Sequence, residues 1–141
     1  MLRFLITDDD DVTHAFLRHV LVGLGDVGHA FSGVESVERC RDALKRGTPF
    51  TCVFMDVLMP GMNGLEAVRQ IRQLYADEGV PAPLCVLVSC VSYEECLGGG
   101  LVPGSVDRYI AKPFELHTVL TVLAELGIGQ APVRAAGEGF W

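Results

Sequence analysis

Basic residues are scarce in this sequence. Lys and Arg number 11 while Asp and Glu number 18, so the formal net charge is −7. A protein that binds nucleic acid needs clustered Lys and Arg to contact the phosphate backbone. The deficit therefore argues against a nucleic-acid partner, and the acidic excess suits a cation or a basic partner protein.

Long apolar runs are missing as well. The chain contains no run of about 18 apolar residues, the length that a helix needs to span a membrane. Its beginning, MLRFLITDDDD, lacks the apolar stretch of a secretory signal peptide. We expect a cytoplasmic protein without membrane association.

The cysteine pattern excludes two kinds of small scaffold. The five cysteines are an odd number, and no two of them form a C-x-x-C pair, so neither a disulfide framework nor a zinc cluster is indicated. Half of the residues are hydrophobic and 21% are charged, which is typical of a globular protein with a packed core. At 141 residues the chain has the size of one domain.

Short apolar segments alternate with longer segments of helical periodicity. The short ones are rich in β-branched or aromatic residues and are bounded by Gly, Pro or Asp, which predicts strands. In the longer ones apolar residues recur on one helical face. This alternation predicts an α/β fold in which helices cover both faces of a parallel sheet. The five predicted strands are residues 3–7, 27–31, 51–55, 84–88 and 107–111.

Two of the predicted helices carry signals at their ends. Asn63, with Glu66 three positions later, predicts the start of the third helix as a variant of the capping box. The segment after the fourth strand, CVSYEECLGGGLVPGSV, contains three consecutive glycines, each about 1 kcal/mol less favourable than alanine in a helix. We therefore predict a short fourth helix over about residues 92–97 and irregular chain as far as residue 105.

Polar side chains follow four of the predicted strands. Asp8 and Asp9 follow the first strand, Asp56 the third, Ser89 the fourth and Lys112 the fifth. Because the carboxyl ends of parallel strands meet at one edge of the sheet, where α/β proteins bind ligands, we expect these side chains to lie together.

The charges at this edge indicate a chemistry. Three carboxylates and one ammonium group sum to −2, which a divalent cation such as Mg²⁺ balances with its preferred oxygen ligands. A carboxylate, a metal, a lysine and a hydroxyl are the parts of a phosphoryl-transfer site. Asp56 lies at the end of the central strand and is the candidate nucleophile.

Four sequence blocks resemble the receiver domain of two-component response regulators. They are FLITDD, VFMDVLMPGMNGLEAVRQIR, VLVSC and DRYIAKPF, and they occur in that family's order. The resemblance covers about residues 2–126. Within the family, the sequence is similar to the single-domain chemotaxis-type regulators. It implies a receiver domain over residues 1–126 and a Gly/Ala-rich tail or linker over residues 127–141. It also implies a flavodoxin-like (CheY-like) three-layer sandwich with strand order 2-1-3-4-5.

The resemblance implies how the edge residues hold a metal. Asp56 is implied to be the phosphoacceptor. Asp9, Asp56 and the backbone carbonyl of Leu58 are implied to bind Mg²⁺ directly, and Asp8 to act through a bound water. Lys112 matches the family's phosphate-binding lysine.

It further implies how the chemical state is sensed and passed on. Ser89 and Tyr109 match the switch pair of the family, and the bond from Lys112 to Pro113 is implied to be cis. The donor is a sensor histidine kinase or a phosphotransfer protein. The output is a downstream protein partner or a homodimer, bound through the face of the fourth helix, fifth strand and fifth helix. Such a domain is not an enzyme but a signalling phosphoacceptor that assists its own phosphorylation and dephosphorylation.

Two apolar residues bear on the lifetime of the phosphorylated state. Leu58 and Val91 occupy positions that tune the access of water to the phosphoryl group in the family. We therefore predict slow self-dephosphorylation.

The remaining aspartates and the histidines are given structural roles. Asp10 is predicted to be a solvated acid or one that orients the lysine, and Asp11 to be the N-cap of the first helix. The four histidines share no spacing typical of metal ligands, and we expect them to be structural or solvated.

Three alternatives come from other functional classes. A flavodoxin-type electron carrier would have to hold a cofactor phosphate beside four aspartates, which repel it. A dehalogenase-type phosphatase would need a second Asp two residues after Asp56, where the chain has Leu58. A pseudo-receiver that binds partners without phosphorylation would lack an acid or the lysine, and all are present.

Overall fold

A computed structural model describes residues 2–129 of the chain as a three-layer α/β sandwich. The helices and strands alternate along the chain, as the sequence predicts. In chain order they are β1 (Arg3–Thr7), α1 (Asp11–Leu21), β2 (Asp26–Ala30), α2 (Gly33–Lys45), β3 (Cys52–Met55), α3 (Gly64–Asp77), β4 (Leu84–Ser89), α4 (Tyr93–Gly98), β5 (Arg108–Ala111) and α5 (Leu116–Glu125).

The five strands form one parallel sheet in the order β2-β1-β3-β4-β5. This confirms the predicted fold class and strand order. The observed strands differ from the predicted segments by at most one residue at either end. Since β1 and β3 are interior and adjacent, the loops that follow them open side by side at the carboxyl edge.

Side chains of the strands alternate between two buried clusters. On β1, Phe4 and Ile6 point to the layer of α1 and α5, where they join Leu17 and Val119. Leu5 points to the opposite layer, which α2 and α3 cover. Both faces of the sheet are therefore buried, which explains why the strands read as short runs of nearly continuous apolar residues.

The fourth helix is short, as predicted. Ser92 caps it with a complete capping box formed with Glu95. The backbone N–H of Gly99 closes the last turn, and the chain then turns inward so that Leu101 is buried against the cluster beneath α2 and α3. The helix is thus about a turn and a half long, and an apolar side chain of the following loop completes this part of the core.

The packed chain continues past α5. Ile128 is buried in the cluster of α1 and α5, beyond the predicted domain end at residue 126. Of the predicted tail, residues 130–141 lie outside the described residues, so the domain boundary stays a prediction. Over residues 2–129, every helix is too short or too polar to cross a membrane.

Candidate functional site

Three carboxylates gather at the carboxyl edge of the sheet. Asp8 and Asp9 come from the loop after β1, and Asp56 comes from the loop after β3. One oxygen of each lies within 4.8 Å of an oxygen of the other two. Asp8 and Asp56 are buried and Asp9 is exposed. The structure therefore brings together the acids that the sequence predicts to share one edge.

Lys112 reaches this cluster from the end of β5. Its Nζ donates to Oδ2 of Asp8 at 2.7 Å and lies 3.6 Å from Oδ2 of Asp56. Burial alone would lower the pKa of Lys112, but the hydrogen bond to Asp8 and the charges of both acids outweigh it and raise that pKa. The lysine is thus held as a cation between two acids.

The surroundings of Asp56 disfavour its ionised form. Burial, and then the neighbouring charge of Asp8, raise the pKa of the Asp56 carboxyl above its usual value. Lys112, the backbone N–H of Leu58 and the Ser89 side chain act in the opposite direction without cancelling the effect. Since one lysine does not balance three acids, this cluster fits a divalent cation bound through oxygen.

The start of α3 lies directly against the backbone of Asp56. The N–H of Gly64 donates to the carbonyl of Val57 at 2.9 Å, and a Cβ atom at position 64 would overlap the carbonyl oxygen of Asp56. Asn63 caps the helix by accepting from the N–H of Glu66. Only glycine therefore fits at position 64, at the point where α3 begins.

Ser89 and Tyr109 are connected through the backbone. Ser89 is fully buried at the end of β4, and its Oγ accepts from the N–H of Val91 at 3.2 Å. The hydroxyl of Tyr109, on β5, donates to the backbone carbonyl of Ser89 at 3.2 Å. Tyr93, the first residue of α4, packs edge-on against the Tyr109 ring with the centroids 6.3 Å apart. Sequence reasoning did not single out Tyr93, because a lone aromatic in a short, polar helix carries no periodic signal.

The prediction that Asp11 caps the first helix is wrong, whereas Asp10 is exposed, which is one of the two roles predicted for it. Asp10, not Asp11, caps α1: its carboxylate accepts from the N–H of Val12 at 3.0 Å, and Asp11 is already helical. The reason is the preceding turn, in which the N–H of Asp10 donates to Oδ1 of Asp8 at 2.9 Å and so fixes the residue ahead of the helix. The lysine is accordingly oriented by Asp8, and Asp10 has no contact with it in the hydrogen bonds of residues 2–129.

Sequence reasoning also missed a contact made by His14. This residue of α1 is buried, and its Nε2 lies 2.7 Å from the backbone carbonyl oxygen of Asp8. The expectation that the histidines are structural or solvated is compatible with this position. No spacing in the sequence links His14 to Asp8, because the contact depends on the turn between β1 and α1.

One protein-family model matches nearly all of the described residues. The model of the response regulator receiver domain matches residues 4–124. The chain belongs to this family. It is therefore a receiver domain of a two-component signalling system. The peptide bond between Lys112 and Pro113 is cis, as the resemblance implies.

Relatives of this receiver domain include regulators and kinases. It is 27% identical over 125 residues to the transcriptional regulatory protein GlnL of Bacillus subtilis, covering 89% of this chain and 37% of GlnL. It is 30% identical over 137 residues to the response regulator MprA of Mycolicibacterium vanbaalenii, covering 97% and 55%. It is 25% identical over 129 residues to the osmosensing histidine protein kinase SLN1 of Saccharomyces cerevisiae, covering 88% and 10%. The chain thus spans about half or less of the length of these relatives.

Solved structures agree with the fold. The CheX-CheY-BeF3-Mg complex of Borrelia burgdorferi contains a chain with a TM-score of 0.74 and 21% identity, covering 91% of this chain and 90% of that one. The receiver domain of the histidine kinase CKI1 of Arabidopsis thaliana, complexed with Mg²⁺ and BeF3−, has a TM-score of 0.71 and 26% identity, with 89% of each chain covered.

Proposed function

We propose that Asp56 accepts a phosphoryl group from the phosphohistidine of a sensor histidine kinase or of a phosphotransfer protein. The observation that carries the proposal is the grouping of Asp56 with Asp8, Asp9 and Lys112 at one edge of the sheet. A carboxylate oxygen of Asp56 forms the new bond to phosphorus. The bond from phosphorus to the donor's imidazole nitrogen breaks, and its electron pair stays on that nitrogen.

Mg²⁺ is proposed as the cofactor of this transfer. Asp9, Asp56 and the backbone carbonyl of Leu58 would hold it directly, and Asp8 through a bound water. When bound, it would neutralise negative charge on the transferred group. The similar CKI1 receiver domain is complexed with Mg²⁺ and BeF3− in its crystal structure, which supports this proposal. Asp8 and Asp56 are buried oxygen donors with an uncompensated charge, which is the chemistry that such a cation requires.

Lys112 and Ser89 are proposed to respond to the added charge. A phosphoryl group turns a side chain of charge −1 into one of about −2. The Lys112 ammonium, already between two acids, is placed to pair with it, and the Ser89 hydroxyl retains a hydrogen to donate to one of its oxygens. Movement of Ser89 alters the backbone carbonyl that Tyr109 binds, and so changes the population of Tyr109 conformers.

The surface formed by α4, β5 and α5 is the proposed site of output. We expect this surface to bind a downstream protein or a second copy of the chain. Tyr93 and Leu97 contribute exposed apolar area to it. Because α4 is short, we expect its partner to contact the loop after the helix as well, where Val102 is 66% exposed.

The donor is proposed to approach beside Lys112. A mostly apolar hollow opens there between the start of α1 and the loop after β5. Lys112 lines this hollow, and its Nζ lies 3.6 Å from Oδ2 of Asp56, so an imidazole bound in the hollow would lie on the Lys112 side of the acceptor. Its lining includes Val12, Phe16, Cys90, Lys112 and Phe114.

The proposal also includes a location and a functional class. We propose that the protein acts in the cytoplasm and that it is a signalling phosphoacceptor rather than an enzyme.

Labelling of the purified protein tests the acceptor. The wild type is incubated with acetyl phosphate and Mg²⁺ and analysed by Phos-tag electrophoresis and intact mass. We expect one added phosphoryl group, which Asp56→Asn abolishes and the matched exposed control Asp11→Asn retains. Equal labelling of Asp56→Asn would refute the assignment, and an unlabelled wild type would favour a pseudo-receiver.

A further inference from the structure

Asp8 uses every one of its polar groups inside the protein. Its N–H donates to the carbonyl of Ala30 at 3.2 Å, its Oδ1 accepts from Asp10, and its Oδ2 accepts from Lys112. Its carbonyl oxygen lies 2.7 Å from Nε2 of His14. Among these contacts, only the last joins the backbone of the loop after β1 to a side chain in the body of α1.

The His14 ring is fixed from both sides. It stacks on Phe31, with ring centroids 4.0 Å apart and planes inclined by 25°. Its Nδ1 lies 2.8 Å from Nδ1 of His29, on β2. One segment, formed by β2 and the residue that follows it, therefore holds the imidazole that reaches Asp8.

The direction of the two hydrogen bonds follows from their chemistry. A carbonyl oxygen accepts only, so Nε2 of His14 carries the hydrogen that binds Asp8. When His14 is neutral its other nitrogen accepts, and His29 then donates from its own Nδ1. Burial, together with the charges of His14, Arg18 and Arg39, lowers the pKa of His29 and so favours its neutral form.

We propose that His14 and His29 are positioning residues for the metal-binding loop of this receiver domain. His29 sets the tautomer of His14, and His14 anchors the backbone of Asp8 so that Asp8 and Asp9 face Asp56. The inference rests on the proposed function, since it concerns the cation held by those acids. Partners that orient a metal-binding carboxylate typically contribute about 10-fold to 100-fold in metal affinity.

Substitutions of His14 can separate its hydrogen bond to Asp8 from its packing against Phe31. His14→Phe keeps an aromatic ring against Phe31 but leaves the Asp8 carbonyl without a donor. His14→Gln restores an amide N–H at the distance of Nε2 from the backbone. His19→Phe is the matched control, because His19 lies on the same helix and is exposed.

The affinity for Mg²⁺ is measured by isothermal titration calorimetry, and the melting temperature is recorded for each variant. We expect the dissociation constant to rise about tenfold in His14→Phe, to return most of the way in His14→Gln, and to stay unchanged in His19→Phe. A purely structural role would lower the melting temperature of His14→Phe while leaving the Mg²⁺ dissociation constant as in the wild type, and that result would overturn the inference.

The relay from His29 has a spectroscopic signature. Nitrogen-15 NMR of the imidazole rings should show hydrogen on Nε2 of His14 and on Nδ1 of His29 in the neutral wild type. His29→Leu should change the His14 tautomer ratio and weaken Mg²⁺ binding, and His29→Asn, which retains a donor, should do so less. The opposite tautomer of His14 in the wild type would overturn the inference.

The same experiments tell two failures apart. A wild type that binds no Mg²⁺ would overturn both this inference and the proposed function. A wild type that binds Mg²⁺ and is labelled on Asp56, with His14→Phe binding Mg²⁺ equally well, would overturn the inference alone.

Discussion

The ammonium group of Lys112 lies 2.7 Å from Asp8 and 3.6 Å from Asp56, so one side chain from β5 spans the ends of β1 and β3. These strands are not neighbours of β5 in the sheet, because β4 lies between β3 and β5. The lysine therefore ties the far strand of the sheet to its centre through charge rather than through backbone hydrogen bonds.

Replacement of Lys112 by Met is expected to destabilise the metal-free protein. It leaves Asp8 charged and buried without its ion-pair partner, a change that costs about 3–5 kcal/mol for fully buried pairs. Because 22% of the lysine side chain is exposed, we expect about 2 kcal/mol in the free energy of unfolding. Urea denaturation measures it, and added Mg²⁺ should recover part of the loss. Lys45→Met, in the last turn of α2, is the exposed control and should change little.

The phosphorylated protein is expected to lose its phosphoryl group slowly. Leu58 and Val91 present apolar side chains on the loops after β3 and β4, and neither can orient a water molecule for attack on phosphorus. Leu58→Asn supplies an amide at an exposed position and should shorten the half-life severalfold. The decay of phospho-Asp56 is followed by Phos-tag electrophoresis after the donor is removed. A wild-type half-life of only seconds would contradict the prediction.

The ring of Tyr109 is expected to change environment when the site is loaded. Its hydroxyl donates a hydrogen bond to the backbone carbonyl of Ser89, so a movement of Ser89 changes the surroundings of Tyr109. With fluorotyrosine incorporated, Mg²⁺ and BeF3− should move the Tyr109 resonance in the wild type and move it much less in Ser89→Ala. Tyr75, buried with its hydroxyl on the Phe50 carbonyl, is the internal reference. An equal movement in Ser89→Ala would show that Tyr109 responds by another route.

Two glycines at the end of α4 are expected to change the stability of the protein in opposite directions when replaced by alanine. Gly98 ends the helix with open space around its Cα, so Gly98→Ala should stabilise the protein by about 0.5–1 kcal/mol. Gly100 has φ of +108°, and Gly100→Ala should destabilise it by about 1 kcal/mol. Urea denaturation of both variants checks the pair. Stabilisation by both substitutions would mean that the turn after α4 adopts another conformation.

Residues whose positions depend on secondary structure alone could be predicted from the sequence. Asp8, Asp56 and Lys112 follow strands, and parallel strands end at one edge, so their meeting required no knowledge of the loops. The short α4 followed from the cost of consecutive glycines in a helix.

Residues whose positions depend on a single turn could not be predicted. The cap of α1 is Asp10 because Asp8 binds its N–H, and a sequence of four aspartates does not indicate which of them makes that bond. The approach of His14 to Asp8 and His29 follows from the same turn together with the register of β1 and β2. Such contacts between side chains distant in sequence leave no periodic pattern.

The close approach of Gly64 to Asp56 makes a mechanical unit of two elements. No side chain separates the first turn of α3 from the strand end that carries Asp56, and the Gly64 N–H is bonded to the Val57 carbonyl. The backbone at Asp56 cannot be pushed toward α3 without carrying the helix along. The contact therefore couples the position of the phosphoacceptor strand end to that of α3, whose 14 residues extend to Asp77.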